Sequence, residues 1–274
     1  MNLVDFWAGY CPDSLAPERI NPPATPKGGG IGVVLAGRES RRSLPAQTLA
    51  IISTTLGAAQ KTDSIFLLGG ETERSAGQAV LKELSPTFQT KTTNLAGKTN
   101  WNDLVDIVGS LDMLLTPDTG TMHLAAHLGT PVTAFFLSSA WCFETGPYGL
   151  GHTVYQASTG CLPCLESRPC DIGTKCLSPF TSPEFQRFLV TQKNIHVPDG
   201  LIGFTSAFDA LGQIYTPFAG VDKDHKQRTV FRHFIHQYLS GEGTECYENE
   251  HLFAQEFYRE KDWMTQFQPL ATRG

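Results

Sequence analysis

From Ile31 onward, short runs of consecutive apolar residues alternate with longer stretches in which apolar positions recur every three or four residues. The short runs are IGVVLA, SIFLL, TTNL, LDMLLT and PVTAFF. A run that is apolar nearly throughout suits a strand covered on both faces, as in a parallel sheet. Helical periodicity fills the gaps. It begins after Pro45, where Leu49, Ile52 and Leu56 share a face, and recurs from about Thr72 to Leu84. It returns from Trp101, with Leu104, Val105 and Val108 in step, and again from Thr121. Pro45 suits a first helical turn, where its missing N–H is no loss. Asn100, with Asp103 three residues on, predicts a helix N-cap. Five such strands alternating with four helices predict an α/β fold: a Rossmann-like parallel sheet with helices on both faces.

The pattern differs on either side of this region. An apolar stretch from Leu3 to Tyr10 leads into NPPATPKGGG, which has linker composition, so residues 1–30 are expected to be a linker. Residues 31–177 are expected to form the Rossmann-like domain, including a Cys-rich loop over 161–176. Residues 178–274 are expected to be a mainly helical C-terminal extension. In TVFRHFIHQYLS, Val230, Phe231, Phe234, Ile235, Tyr238 and Leu239 make a helical stripe, and HLFAQEFYREKDWMTQF is similar though less regular.

Composition narrows the function. With 41% hydrophobic and 18% charged residues among 274, the chain reads as globular, and its formal net charge of −6 argues against a nucleic-acid partner. No apolar run approaches the ~20 residues needed to cross a bilayer, and the first residues lack the layout of a secretory signal, so a cytoplasmic location is expected. Seven cysteines are many for such a chain. Cys161, Cys164, Cys170 and Cys176 read C-x2-C-x5-C-x5-C. The first pair is the usual opening of a tetrahedral thiolate site, but the wider second spacing is poor for zinc. The readings are free thiols packed as small hydrophobes, which is preferred, and a structural zinc or iron–sulfur site. A catalytic role for these cysteines ranks behind both.

Three segments carry candidate chemistry, each following a strand. In LLTPDTGTMHLAAHLGTP a buried strand ends at Pro117, and a polar loop of Asp118, Thr119, Gly120 and Thr121 opens a helix that closes at Gly129. Such a loop presents unsatisfied N–H groups at the positive end of a helix dipole, which favours phosphate. The plainer reading is that Asp118 and Thr119 only cap the helix. His123 and His127 stand four apart, but the following Leu124 replaces the glutamate of a zinc-protease motif, which disfavours a metal there. In LLGGETER, Gly69 and Gly70 can admit a ribose or base and Glu73 can accept from ribose hydroxyls, although an ordinary turn explains the glycines as well. In GRESRRSLP, Arg38, Arg41 and Arg42 form a basic cluster suited to a diphosphate, or a solvated loop.

The order of IGVVLAGRESRRSLP, LLGGETER, NLAGKTNWNDLVDIVGSLDMLLTPDTGTMHLAAHLGTP and GPYGLGHTVYQ resembles the second half of glycosyltransferase family 9, the ADP-heptose:lipopolysaccharide heptosyltransferases. The likeness spans roughly residues 28–177, and D-T-G-x-x-H-L-A-A is its most specific part. It implies the C-terminal, donor-binding domain of a GT-B enzyme that transfers a sugar with inversion and requires no metal or other cofactor for transfer. The implied partners are a nucleotide-sugar donor, ADP-linked by family default, and a glycan or glycolipid acceptor. A place at the inner face of the inner membrane, with peripheral membrane association, is compatible with such an acceptor. Carried over by residue, Asp118, Thr119, Gly120, Thr121 and His123 match the loop and helix start at the donor diphosphate and sugar. Arg42 matches a basic position ahead of a W-P pair, which is Leu44-Pro45 in this chain. Gly69, Gly70 and Glu73 match the ribose loop, and Leu95 and Gly97 the segment lining the base. The general base is expected in an N-terminal domain, of which LVDFWAGYCPD resembles the end, so the catalytic residue is unknown from this sequence. The competing reading is a non-catalytic nucleotide-binding or regulatory module without the acceptor domain.

Overall fold

The computed structural model describes residues 2–8, 11, 16–36, 40–162, 164, 169–191 and 193–240. It divides into two compact units, Met1–Asp222 and Lys223–Gly274. Arg38 and the HLFAQEFYREKDWMTQF stretch lie outside the described residues.

The first unit begins with helix α1 (Leu3–Ala8). The alternation expected from the sequence then follows as β1 (Ile31–Val34), α2 (Ala46–Gln60), β2 (Ile65–Leu68), α3 (Arg74–Glu83) and the short α4 (Pro86–Gln89). It continues with β3 (Thr92–Asn94), α5 (Trp101–Ser110), β4 (Met113–Pro117), α6 (Gly120–His127) and β5 (Val132–Phe136). After α7 (Cys142–Thr145) come β6 (Thr153–Ala157), α8 (Ser178–Thr181), α9 (Pro183–Thr191), β7 (Leu201–Asp209) and β8 (Gly212–Ala219). The strands make one eight-stranded sheet in the order β3-β2-β1-β4-β5-β6-β7-β8. The first six run parallel, and β7 and β8 are added antiparallel.

The apolar strand runs reflect cover on both faces. Ile31, Val33 and Leu35 belong to one core with Leu49 and Ile52 of α2 and Phe185 and Phe188 of α9. The alternate residue Val34 belongs to the other, with Leu68, Leu114, Val108 of α5 and Met122 and Ala125 of α6. Successive side chains of a strand point to opposite faces, so both parities must be apolar. Phe135, Tyr155, Phe180 and Phe185 meet edge-on or stacked, with ring centroids 5.3 to 6.4 Å apart.

Two expectations are corrected. Residues 178–222 are not a helical extension, because β7 and β8 complete the same sheet. The 178–274 boundary fails because LIGFTSAFD and GQIYTPFA form strands of mixed burial, whose signal is weaker than the helical stripe further on. That stripe is α10 (His225–Ser240), the described helix of the second unit.

Residues 1–30 are also more than a linker. The Asp5 carboxylate accepts from Tyr148 Oη at 2.6 Å and from the Gln213 N–H at 2.8 Å. Asn21 Nδ2 donates to the Tyr148 carbonyl at 2.7 Å, and the Ala24 and Thr25 N–H groups donate to Leu150 and Gly129. Asp112 accepts from the N–H groups of Gly28 and Gly30. Proline and glycine here shape a strap bonded along the first unit.

Candidate nucleotide-diphosphate site

The three sequence-selected segments converge on one edge of the sheet because β1, β2 and β4 are parallel neighbours and each segment leaves a strand at its carboxyl end. In open α/β sheets that edge is where ligands bind.

The centre of the edge is an ion pair between Arg42, in a short 3-10 turn after β1 (Ser40–Arg42), and Asp118, in the loop after β4. Arg42 Nη2 donates to the Asp118 carboxylate and also lies 3.4 Å from its carbonyl oxygen. Both side chains are nearly buried. The same carboxylate oxygen accepts from Thr145 Oγ1 of α7 at 3.2 Å. One carboxylate thus joins the segments after β1, β4 and β5.

Thr119 is the N-cap of α6, its hydroxyl accepting from the Met122 N–H at 3.4 Å and lying 3.0 Å from Thr116 Oγ1. Capping and phosphate binding are compatible, because the N–H groups of the first turn still have no intrahelical acceptor. Gly120 and Thr121 occupy that turn, and a Cβ on Gly120 would meet nothing within 4 Å, so the helix end opens onto space. His123 lies one turn further on, exposed at its edge. Desolvation by the surrounding protein lowers its pKa, and the Asp118 charge opposes that shift. His127 is diverted from the site, its Nδ1 lying 3.0 Å from Asn21 Oδ1.

The neighbouring loops after β2 and β3 are stitched together. The Gly97 N–H donates to the Gly69 carbonyl at 3.0 Å, and Arg74 Nη2 donates to the Gly97 carbonyl at 3.3 Å. Gly97 has φ +67°, and a Cβ there would come within 2.8 Å of Glu71 Cα, so glycine is required on two counts. Leu95 is half-buried between them, bonded through its N–H to Leu67. Glu73 departs from a simple ribose-acceptor picture: its carboxylate accepts from the Gly70 N–H at 2.7 Å and from Thr72 Oγ1 at 2.6 Å, closing its own loop.

Beyond these residues, sequence reasoning missed Thr145 and Ser138. Thr145 lies 27 positions from Asp118 with no motif to mark it. Ser138, after β5, is buried with φ +61°, a conformation unusual for a residue with a side chain. Its carbonyl accepts from the Cys164 N–H at 3.1 Å, so Cys164 lies against the end of β5. Among the described residues no three His, Cys, Asp or Glu side chains converge as metal ligands. No helix among them is long and apolar enough to cross a membrane.

Residues 53–172 match the family described as glycosyltransferase family 9 (heptosyltransferase). Lipooligosaccharide heptosyltransferase 2 of Haemophilus influenzae is 32% identical over 73 residues, covering 27% of this chain and 21% of that protein. Lipopolysaccharide heptosyltransferase 2 of Escherichia coli is 32% identical over 96 residues, 35% of this chain and 27% of that protein. These matches therefore span about a quarter of the curated relatives' own length. The solved structure of E. coli ADP-heptose lps heptosyltransferase II aligns with a TM-score of 0.44 at 21% identity, over 61% of this chain and 47% of that one.

Proposed function

With the chain heptosyltransferase-like, of the family 9 type, over residues 53–172, we propose that its sheet edge binds the diphosphate of a nucleotide sugar and serves as the donor half of a glycosyltransferase. The observation that carries this reading is the Arg42–Asp118 pair beside the open N-terminus of α6. Asp118 and Thr145 fix the guanidinium at the mouth of the site. A diphosphate entering over Gly120 meets a cation and a helix-end dipole of the same sign.

Transfer by this reading is direct displacement at the anomeric carbon with inversion. The bond from that carbon to the diphosphate breaks as the acceptor hydroxyl attacks from the opposite face, and the leaving diphosphate gains charge. Arg42 and the Gly120–Thr121 backbone stabilise that charge as it develops. No metal or other cofactor is assigned to the step. Asp118 is committed to Arg42 and Thr145, so it orients the guanidinium and is not assigned as the base. The relatives' names specify heptosyl transfer to lipopolysaccharide or lipooligosaccharide. An ADP-linked heptose and a glycolipid acceptor at the inner face of a membrane are proposed for this chain on that basis.

The test is calorimetry of the purified chain against ADP, UDP and GDP and their sugars. Saturable binding of one nucleoside diphosphate, weakened by Arg42→Ala, is expected. Absence of binding by all of them would overturn the reading. The alternative, a nucleotide-binding or regulatory module without transfer, is distinguished by binding without turnover when donor and glycolipid acceptor are supplied together.

A further inference from the structure

Apart from the sheet edge assigned above, a cavity of about 200 Å³ opens between the start of α2 and the turn from α8 into α9. Its walls are fixed by packing. α2 lies against α9, and Leu49 and Ile52 of the one share a buried core with Phe185 and Phe188 of the other. Phe180 of α8, also buried, belongs to that core and lines the cavity, with Pro45 and Ile51 as further apolar wall.

The polar part of the lining has no use within the fold. Thr48 is only 6% exposed, yet its hydroxyl bonds no described residue. Burying a hydroxyl without a partner is unfavourable, so such a group calls for a ligand or water. Gln47 and Gln186 line the same cavity, and their carboxamides bond no described residue either. Thr181 Oγ1 donates to the Ser178 carbonyl at 3.1 Å, which leaves its lone pairs to accept. α2 has no side-chain cap, so the N–H groups of its first turn add donors. No charged side chain is in the lining, and Glu184 and Arg187 of α9 bond each other at 2.7 Å.

We propose that this cavity binds one neutral pyranose ring. A carboxamide carries a donor and an acceptor side by side, and a hydroxyl can serve as either, which is the complement of adjacent sugar hydroxyls. A charged ligand would enter without a counter-charge from any lining side chain. The apolar walls suit the C–H faces of a ring. The volume is several times the ~30 Å³ share of one water and below the ~300 Å³ at which drug-sized pockets begin, so it takes a single ring and no longer chain. The site does not depend on nucleotide binding at the sheet edge.

The experiment titrates the whole nitrogen-15-labelled chain with the methyl pyranosides of glucose, galactose and mannose, and separately with inorganic phosphate and ADP, following amide signals by NMR. The shift map is read on wild type, so no variant needs to fold. At least one pyranoside is expected to shift the side-chain amides of Gln47 and Gln186 saturably, with a Kd on the order of 1 mM. Gln47→Ala and Gln186→Ala should each weaken that binding up to about tenfold. Pyranoside binding in a chain that ignores ADP would support this site while counting against the diphosphate site. No saturable shift with any pyranoside, shifts that leave α2 and α9 untouched, unchanged affinity in both variants, or phosphate moving these amides where pyranosides do not would each overturn the proposal.

Discussion

The Arg42 guanidinium and the Asp118 carboxylate, 76 positions apart, form a nearly buried ion pair that joins the segment after β1 to the loop after β4. Removing one partner of such a pair leaves a charge in a poor solvent, which is more harmful than never having built the pair.

Arg42→Ala is accordingly expected to lower unfolding stability by about 3 kcal/mol, read from urea denaturation. It should also weaken nucleoside diphosphate binding at least tenfold. Arg42→Lys should recover part of the stability and less of the binding, since an ammonium cannot reproduce the planar fork. Equal affinity in wild type and both variants would place the diphosphate elsewhere.

Thr119→Val removes the hydroxyl that caps α6 and meets Thr116. A loss of about 1 kcal/mol is expected from the cap, visible as a lower denaturation midpoint. Weaker ADP binding should accompany it, because the turn that presents Gly120 and Thr121 loses its anchor. Thr119→Ser keeps the acceptor and should behave nearly as wild type.

His152 gives the fold a pH limit. It is fully buried, its Nδ1 accepts from the Val132 N–H at 3.3 Å, and burial pushes its pKa down from 6.5 to about 4. Between those values the unfolded chain binds a proton that the folded chain refuses, so stability falls as pH falls from 6.5 towards 4. The loss from this group reaches about 3 kcal/mol at the lower end and is absent above neutrality. Chemical denaturation at a series of pH values should show this slope, and following the His152 ring protons by NMR should show no titration above about pH 5.

Gly97→Ala places a Cβ against Glu71 in a left-handed backbone. A loss of about 1–3 kcal/mol is expected, with the adjoining Gly69–Gly97 bond disturbed. A melting temperature equal to wild type would show that the loops after β2 and β3 rearrange freely.

The parallel half of this fold is legible in the chain because its strands are covered on both faces and its helices carry their own signals. The Asn100–Asp103 pair is one example, each side chain bonding the other's N–H at 3.0 Å. β7 and β8 were hidden for the converse reason. Their burial is complete at Leu201–Phe204 but mixed from Thr205 onward, so they give neither a continuous apolar run nor a clean alternation. At the site, Arg42, Asp118 and Thr119 are recognisable because each follows a strand in a loop of distinctive residues. Thr145 and Ser138 are placed by tertiary contacts alone, and Glu73 is occupied by its own turn, which residue type does not reveal.

The strap has a mechanical meaning. Asn2 is buried and donates to the Gly146 carbonyl at 3.4 Å, and the preceding residue, Thr145, grips Asp118, which in turn grips Arg42. Asp5, one turn along α1, holds Tyr148 and the start of β8. A path of hydrogen bonds therefore runs from the residue ahead of the first helix to the guanidinium. The amino-terminal segment and the arginine proposed to meet the diphosphate are thus joined through one carboxylate, so cutting the Asn2 contact is expected to loosen the far end of that path as well.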